Sequence, residues 1–308
     1  MLNKIRNIVN NLEFNENKIY LLDHIDESNG FLLNGNSVWF ISKNIFDVKD
    51  KNIQTQYLTL RTNLFITGIS ETSHFNPDYY NVIMLKDYSE SELLDIFVSL
   101  CRIFVEKKNE LTFEQYFEIL IDLFQIEAKE KTLNQLGLFG ELVFIKFIYD
   151  NEGIDLSPFW HIKNMYDKHD FNLPSLSLEV KTTLKSELIF QIKHFQLFNE
   201  QDIIVVLVRV YESGNGVSLE ELVSFFLNNK PFNQNLKFVF SLNVILSKVK
   251  TLAMSKNKYI LSHLNFYSNK DLATINHVPT HITSLTYLFD FNGQKELNYK
   301  ELINKITI

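Results

Sequence analysis

In the segment LSLEVKTT, residues 176 to 183, side chains of alternate faces separate cleanly. Leu176, Leu178 and Val180 fall on one side of a strand, and Ser177, Glu179 and Lys181 on the other. An acid and a base therefore project together. Alone, such a pair would be two solvated charges on an exposed sheet; its neighbours give it chemistry. The preceding HDFNL carries Asp170, and a hairpin centred between Pro174 and Ser175 sets Asp170 opposite Glu179, Phe171 opposite Leu178 and Leu173 opposite Leu176. The apolar residues then meet on one face. The two carboxylates meet on the other, with Cβ atoms about 4.5 to 5.5 Å apart. Opposed carboxylates repel unless a cation sits between them. Pro174 does not suit the first central position of a type I′ or II′ turn, so the connection is expected to be wider than two residues, which leaves the facing unchanged.

A divalent metal between Asp170 and Glu179 would be held by hard oxygen ligands, with the Val180 carbonyl as a third. Such an ion polarises a phosphodiester and lowers the pKa of a bound water. Lys181 would orient that water or stabilise charge developing on the phosphate. Glu141 supplies a third acid. It and Lys146 are the only charged residues in NQLGLFGELVFIKFIY, and burying an unpaired carboxylate in so apolar a helix costs several kcal/mol. Glu141 should therefore line a site, binding a second metal or tuning the first, or else form a buried salt bridge with Lys181. Gly137 and Gly140 share a face beside it; each weakens a helix by about 1 kcal/mol relative to Ala, which points to close packing against the sheet.

These residues need a helix, a hairpin and a sheet to hold them. Residues 112 to 150 carry a helical pattern; strands are expected at 169–173, 176–182 and 188–192, followed by IIVVLVRV at 203–210, apolar enough for a strand buried on both faces. A turn at Gly214 to Gly216 precedes a helix, SLEELVSFFLNN, capped by Ser218. The remainder reads as further β-like segments, LKFVFSLNVIL, YILSHLNFY and LTYLFDF. Upstream, segments 30–42, 57–69 and 79–85 predict a small antiparallel sheet with an Asn34-Gly35 turn, followed by a helix. With 308 residues, the expected division is an N-terminal α+β accessory module at 1–110, a core at 111–215 and a C-terminal extension at 216–308 packed on that core.

The net charge of -7 argues against a protein that coats nucleic acid, but not against an enzyme that needs positive potential along one groove. Lys163, Lys168, Lys181, Lys185 and Lys193, with His161, His169 and His194, face Asp167, Asp170, Glu179 and Glu187 over a short span. A metal neutralising two of those acids would leave the region modestly basic, suiting a duplex backbone that Thr182, Lys185 and Lys193 could contact. Cys101 is the only cysteine, so neither an internal disulfide nor a thiolate zinc site is available, and its neighbours predict burial. There is no phosphate-binding loop and no apolar run of the roughly 18 residues a membrane span requires, so a soluble, cytoplasmic protein is expected.

A helical Glu, then Asp, then E-x-K on the next strand resembles the arrangement of the PD-(D/E)XK nuclease superfamily. More closely, LGLFGEL (136–142), Trp160, HDF (169–171), LEVKTT (178–183), FQL (195–197) and SLEELV (218–223) resemble an uncharacterised bacterial family of PD-(D/E)XK motif proteins. The resemblance is strongest over residues 130 to 225. His169 stands where the superfamily name places Pro. What the resemblance implies is an α/β (α+β) restriction-endonuclease-like core, a central mixed sheet flanked by helices, cleaving DNA phosphodiester bonds with magnesium, for which manganese can substitute. It also implies a restriction or anti-phage setting and a role for Gln196 near the metal or DNA. The partners to expect are DNA, a second copy of the chain, and defence-system proteins such as an ATPase or helicase and a methyltransferase. The rival reading is a catalytically silent nuclease fold serving as a DNA-binding or scaffold subunit; loss of an acid or of the lysine would mark it, and all four residues are present.

Overall fold

The computed structural model describes residues 5, 6, 8, 19–43, 50–67, 77–89, 91–107, 111–127, 134–160, 169–197, 202–251, 257–273, 275, 278–282 and 284–307. The chain divides into two compact units, Met1–Lys129 and Glu130–Ile308.

The first unit is built on a six-stranded antiparallel sheet ordered β1-β2-β3-β6-β5-β4. Its strands are β1 (Ile19–His24), β2 (Asn29–Asn34), β3 (Ser37–Lys43), β4 (Asn52–Gln54), β5 (Leu58–Ile66) and β6 (Asp78–Leu85). The Asn34-Gly35 turn joins β2 to β3, with Gly35 in the left-handed region at φ 53°. β1 and β4 lie outside the three segments expected from sequence. Two helices follow, α1 (Ser91–Glu106) and α2 (Phe113–Glu127). Aromatic rings join them to the sheet: Phe40 meets Phe104 edge-on, and Phe104 stacks on Tyr116 with centroids 4.5 Å apart. Cys101 is buried as expected; its thiol accepts from the Tyr116 hydroxyl, and burial pushes its pKa well above the ordinary thiol value.

The second unit opens with α3 (Gln135–Glu152), capped by the Asn134 side chain, which accepts the Gly137 N–H at 3.0 Å. Its main sheet has the order β11-β10-β8-β7, comprising β7 (Phe171–Asn172), β8 (Leu176–Thr183), β10 (Asp202–Ser218) and β11 (Lys258–Ser268). β8 and β10 run parallel, while β7 and β11 are antiparallel to their neighbours, so this is a mixed sheet. β10 is buried on both faces along the IIVVLVRV run. Ile204, Val206, Val208 and Val210 enter a core with α3, α4 (Leu219–Asn228) and α5 (Leu236–Thr251). Val205 and Leu207 face a second core built with β9 (Ile189–Lys193) and β12 (Thr286–Asp290). The last helix is α6 (Tyr299–Ile306). Among the described residues no helix is long and apolar enough to cross a membrane.

Two local expectations are corrected. LKFVFSLNVIL is not β-like but forms α5. Its aromatic and β-branched residues favour strand locally, yet Phe238, Leu242 and Ile245 make an i, i+4, i+7 stripe that one core buries, and Asn235 Oδ1 caps the Phe238 N–H. The glycines at 214 and 216 do not end the strand. They lie in a bulge of β10, where the register against β11 slips between Glu212 and Val217. A Cβ on Gly216 would sit 2.5 Å from the Tyr259 carbonyl oxygen, so the partner backbone can approach only because no side chain intervenes. β9 leaves the main sheet and pairs with β12 in a separate ribbon, Phe190 opposite Phe289.

Candidate active site

β8 is the spine of the site. Leu178 and Val180 point into the core beneath α3, as the strand period requires, so Glu179 and Lys181 project on the opposite face beside Val205 and Leu207 of β10. The β7–β8 hairpin has the register read from the sequence: Phe171 pairs with Leu178, and the Asp170 N–H donates to the Leu178 carbonyl. Leu173 N–H donates to the Leu176 carbonyl at 2.8 Å, so the connection is only the two residues Pro174 and Ser175, not the wider one expected from the proline. Extending that register places Asp170 across from Glu179.

Both carboxylates are removed from solvent, Asp170 at 1% and Glu179 at 0% exposure. Burying ionised carboxylates is costly unless each is hydrogen-bonded or ion-paired, and the backbone and side chains here supply such partners. Asp170 Oδ2 accepts the Val180 N–H at 2.7 Å, which ties the acid of one strand to the middle of the other. Lys181 Nζ stands 2.7 Å from Glu179 Oε1. Gln196 donates through Nε2 to the same Oε1, at 2.5 Å. Gln196 comes from the short 3-10 turn His194–Gln196 that follows β9, and its Oε1 accepts the Lys193 N–H at 2.9 Å. That backbone donor fixes the amide orientation and leaves the NH2 end for the carboxylate. His169 is nearly as buried, at 2%, with Nδ1 3.7 Å from Glu179 Oε2.

Glu141 is positioned by α3, and it is not isolated. Its Oε2 accepts from Trp160 Nε1 at 2.8 Å, and Trp160 forms a bridge with Phe171, the residue after Asp170. The helix sits close to β8 because Gly140 has no side chain: a Cβ there would lie 1.8 Å from Thr182 Oγ1. Gly137 has a different reason to be small, since a Cβ would meet the capping Asn134 amide at 2.9 Å rather than the sheet. Replacing Trp160 by Phe keeps the ring packed against Phe238 but deletes the donor to Glu141. We expect Trp160→Phe to cost about 1 to 2 kcal/mol in urea denaturation, from one lost charge-assisted hydrogen bond.

The substrate-contact candidates separate. Gln196 joins the carboxylate network. Thr182 has the parity of Leu178 and Val180, so it faces α3, with its buried Oγ1 against Gly140 and not beside Lys181. Lys185 and Lys193 are exposed, the latter with its ammonium 6.0 Å from the Phe195 ring centroid. Lys163, Lys168, His161 and Asp167 lie outside the described residues. Two features escaped the sequence reading: Trp160 as the partner of Glu141, and the full burial of His169. The aromatic at the end of SPFW was the available signal for the first.

A family model described as "Putative PD-(D/E)XK family member, (DUF4420)" matches residues 36–292, most of the chain. The protein belongs to this family. The mixed α+β architecture of the second unit fits the restriction-endonuclease-like fold that goes with this family. The match starts within the turn before β3, so the family also spans most of the first unit's sheet. No curated protein and no solved structure matches the chain.

PD-(D/E)XK nucleases typically use divalent metals. Among the described residues no set of three or more His, Cys, Asp and Glu side chains forms a ready-made cation site. The donor chemistry nevertheless fits one: two carboxylates on facing strands offer hard oxygens, and a buried histidine beside them has both ring nitrogens without a hydrogen bond. Asp170 and Glu179 are the residues that would hold the ion, with the backbone of Val180 alongside.

Proposed function

We propose that this protein is a metal-dependent endonuclease that hydrolyses DNA phosphodiester bonds, acting within a restriction or anti-phage system. The observation that carries the catalytic reading is the Glu179–Lys181 pair, Nζ 2.7 Å from Oε1, on the strand face that also receives Asp170. The family resemblance supports the defence setting.

A bound magnesium ion would polarise the scissile phosphate and lower the pKa of a water. Asp170 and Glu179 would hold the cation; the Val180 N–H fixes the Asp170 carboxylate through Oδ2. Lys181 has its ammonium at the carboxylate edge with its side chain partly open to solvent, so it can reach an incoming water or a phosphate oxygen while remaining paired. Gln196 braces Glu179 from the opposite element, limiting its rotamers so that one carboxylate geometry persists. Glu141, held by Trp160, tunes the site from the helix side.

Supercoiled plasmid is the direct test. Magnesium or manganese should convert it to nicked and linear forms, while EDTA or calcium in their place should leave it intact. Cleavage indifferent to EDTA would sink the metal-dependent reading. Magnesium-stimulated DNA binding with no cleavage under any condition would favour the silent scaffold subunit. The exposed Lys185 and Lys193 would meet the phosphate backbone. A Lys185→Ala/Lys193→Ala double variant should bind duplexes of unrelated sequence equally more weakly, and the slope of log K against log salt should fall by about 1.8, roughly 0.9 per lost phosphate contact.

A further inference from the structure

His169 is the residue that neither the motif nor the network accounts for. It occupies the position at which the superfamily name has proline, immediately before Asp170, and it is 98% shielded from solvent. Neither Nδ1 nor Nε2 has a hydrogen-bond partner. Leaving buried polar atoms unsatisfied is costly, so an imidazole in this state is expected to serve something that the protein chain alone does not supply. Its Nδ1 stands 3.7 Å from Glu179 Oε2, too far for a hydrogen bond. It is, however, close to the separation of two ligands sharing one ion, since metal–nitrogen and metal–oxygen bonds of about 2.0 to 2.2 Å opened to a wide angle span roughly 3 to 4 Å. The carboxylate is arranged to match: Lys181 and Gln196 both converge on Oε1, and His169 faces Oε2.

We infer that His169 is an additional metal ligand, contributing an imidazole nitrogen beside Asp170 and Glu179. This rests on the nuclease reading above and sharpens it. Replacing a proline position with a nitrogen donor changes the ligand set from all-oxygen to mixed oxygen and nitrogen. Imidazole suits borderline transition metals better than magnesium, so the site should prefer manganese over magnesium more strongly than an all-oxygen site would.

The test is spectroscopic and needs no turnover. Full-length protein loaded with one equivalent of manganese should show nitrogen modulation in pulsed electron paramagnetic resonance. The modulation frequencies should change on labelling the protein with 15N-histidine. His169→Gln and His169→Asn, each checked for an unchanged circular dichroism spectrum, should lose the modulation and bind manganese about tenfold more weakly while magnesium affinity changes little. A wild-type spectrum with oxygen ligands only, or modulation persisting in His169→Gln, overturns the inference and leaves the nuclease reading standing. Manganese that binds wild type and Glu179→Ala alike, or binds neither, overturns both. Should both His169 variants fail to fold, the wild-type spectrum with and without the histidine label still decides.

Discussion

Glu179→Ala and Lys181→Ala should each reduce plasmid cleavage by at least about 10³-fold, roughly 4 kcal/mol of transition-state stabilisation, while leaving DNA binding within severalfold of wild type. The magnitude follows from position. Glu179 is fully buried and is the residue on which Lys181, Gln196 and His169 converge, so its removal takes away an anchor and leaves two donors aimed at nothing. Lys181→Ala takes the ammonium 2.7 Å from Oε1 away from a buried carboxylate, and under the proposed mechanism it also removes the group that would reach the attacking water. Lys181→Arg is the sharper comparison: it keeps the charge but replaces a compact ammonium with a planar fork, and should recover stability more than activity. Initial rates with magnesium, beside thermal melting curves, separate the two. Full activity in both alanine variants would remove these residues from the active site.

The second large effect concerns stability. Gly140→Ala should lower the stability of the second unit by about 2 to 3 kcal/mol, a drop in Tm of roughly 5 to 10 °C. Alanine is worth about 1 kcal/mol more than glycine in a helix, so helix propensity alone predicts the opposite sign. Packing reverses it. The new Cβ would lie 1.8 Å from Thr182 Oγ1, 2.9 Å from its Cβ and 3.0 Å from its Cγ2, and Thr182 is in the strand that carries Glu179 and Lys181. A β-branched side chain on a strand between two packed layers has little freedom to move aside. α3 and β8 must therefore separate, which should also reduce cleavage. Thr182→Ala in the same chain removes Oγ1 and Cγ2, and should restore about half of the loss. A Gly140→Ala variant as stable as wild type would mean that the helix and strand are not held at the distance described.

The arrangement of Asp170, Glu179 and Lys181 was legible from local periodicity. Strand side chains alternate with period two, so once LSLEVKTT is a strand the acid and the base share a face. Once Phe171 and Leu173 must meet Leu178 and Leu176, Asp170 has nowhere to go but opposite Glu179. The same rule puts Thr182 on the other face, with Leu178 and Val180, against Gly140. Burial of β10 and of Cys101 was legible too, because an unbroken apolar run or an apolar neighbourhood needs no knowledge of what covers it.

The sequence by itself therefore determined which residues face the same way: the acids and base of the hairpin, the buried central strand, the Ser218 helix cap and the need for small residues on α3. Tertiary structure decided what each one meets. Trp160, nineteen positions from Glu141, gives that acid an N–H donor, because the segment after α3 returns to pair with Phe171. Gln196 reaches Glu179 only because β9 leaves the main sheet for β12 and its following turn closes over β8. LKFVFSLNVIL is a helix because a core was waiting for its 3.6-residue stripe, against its strand-forming composition. Facing is set by the backbone repeat within a few residues of chain, whereas partnership depends on sheet order and layer spacing, and these are settled only when the whole unit packs.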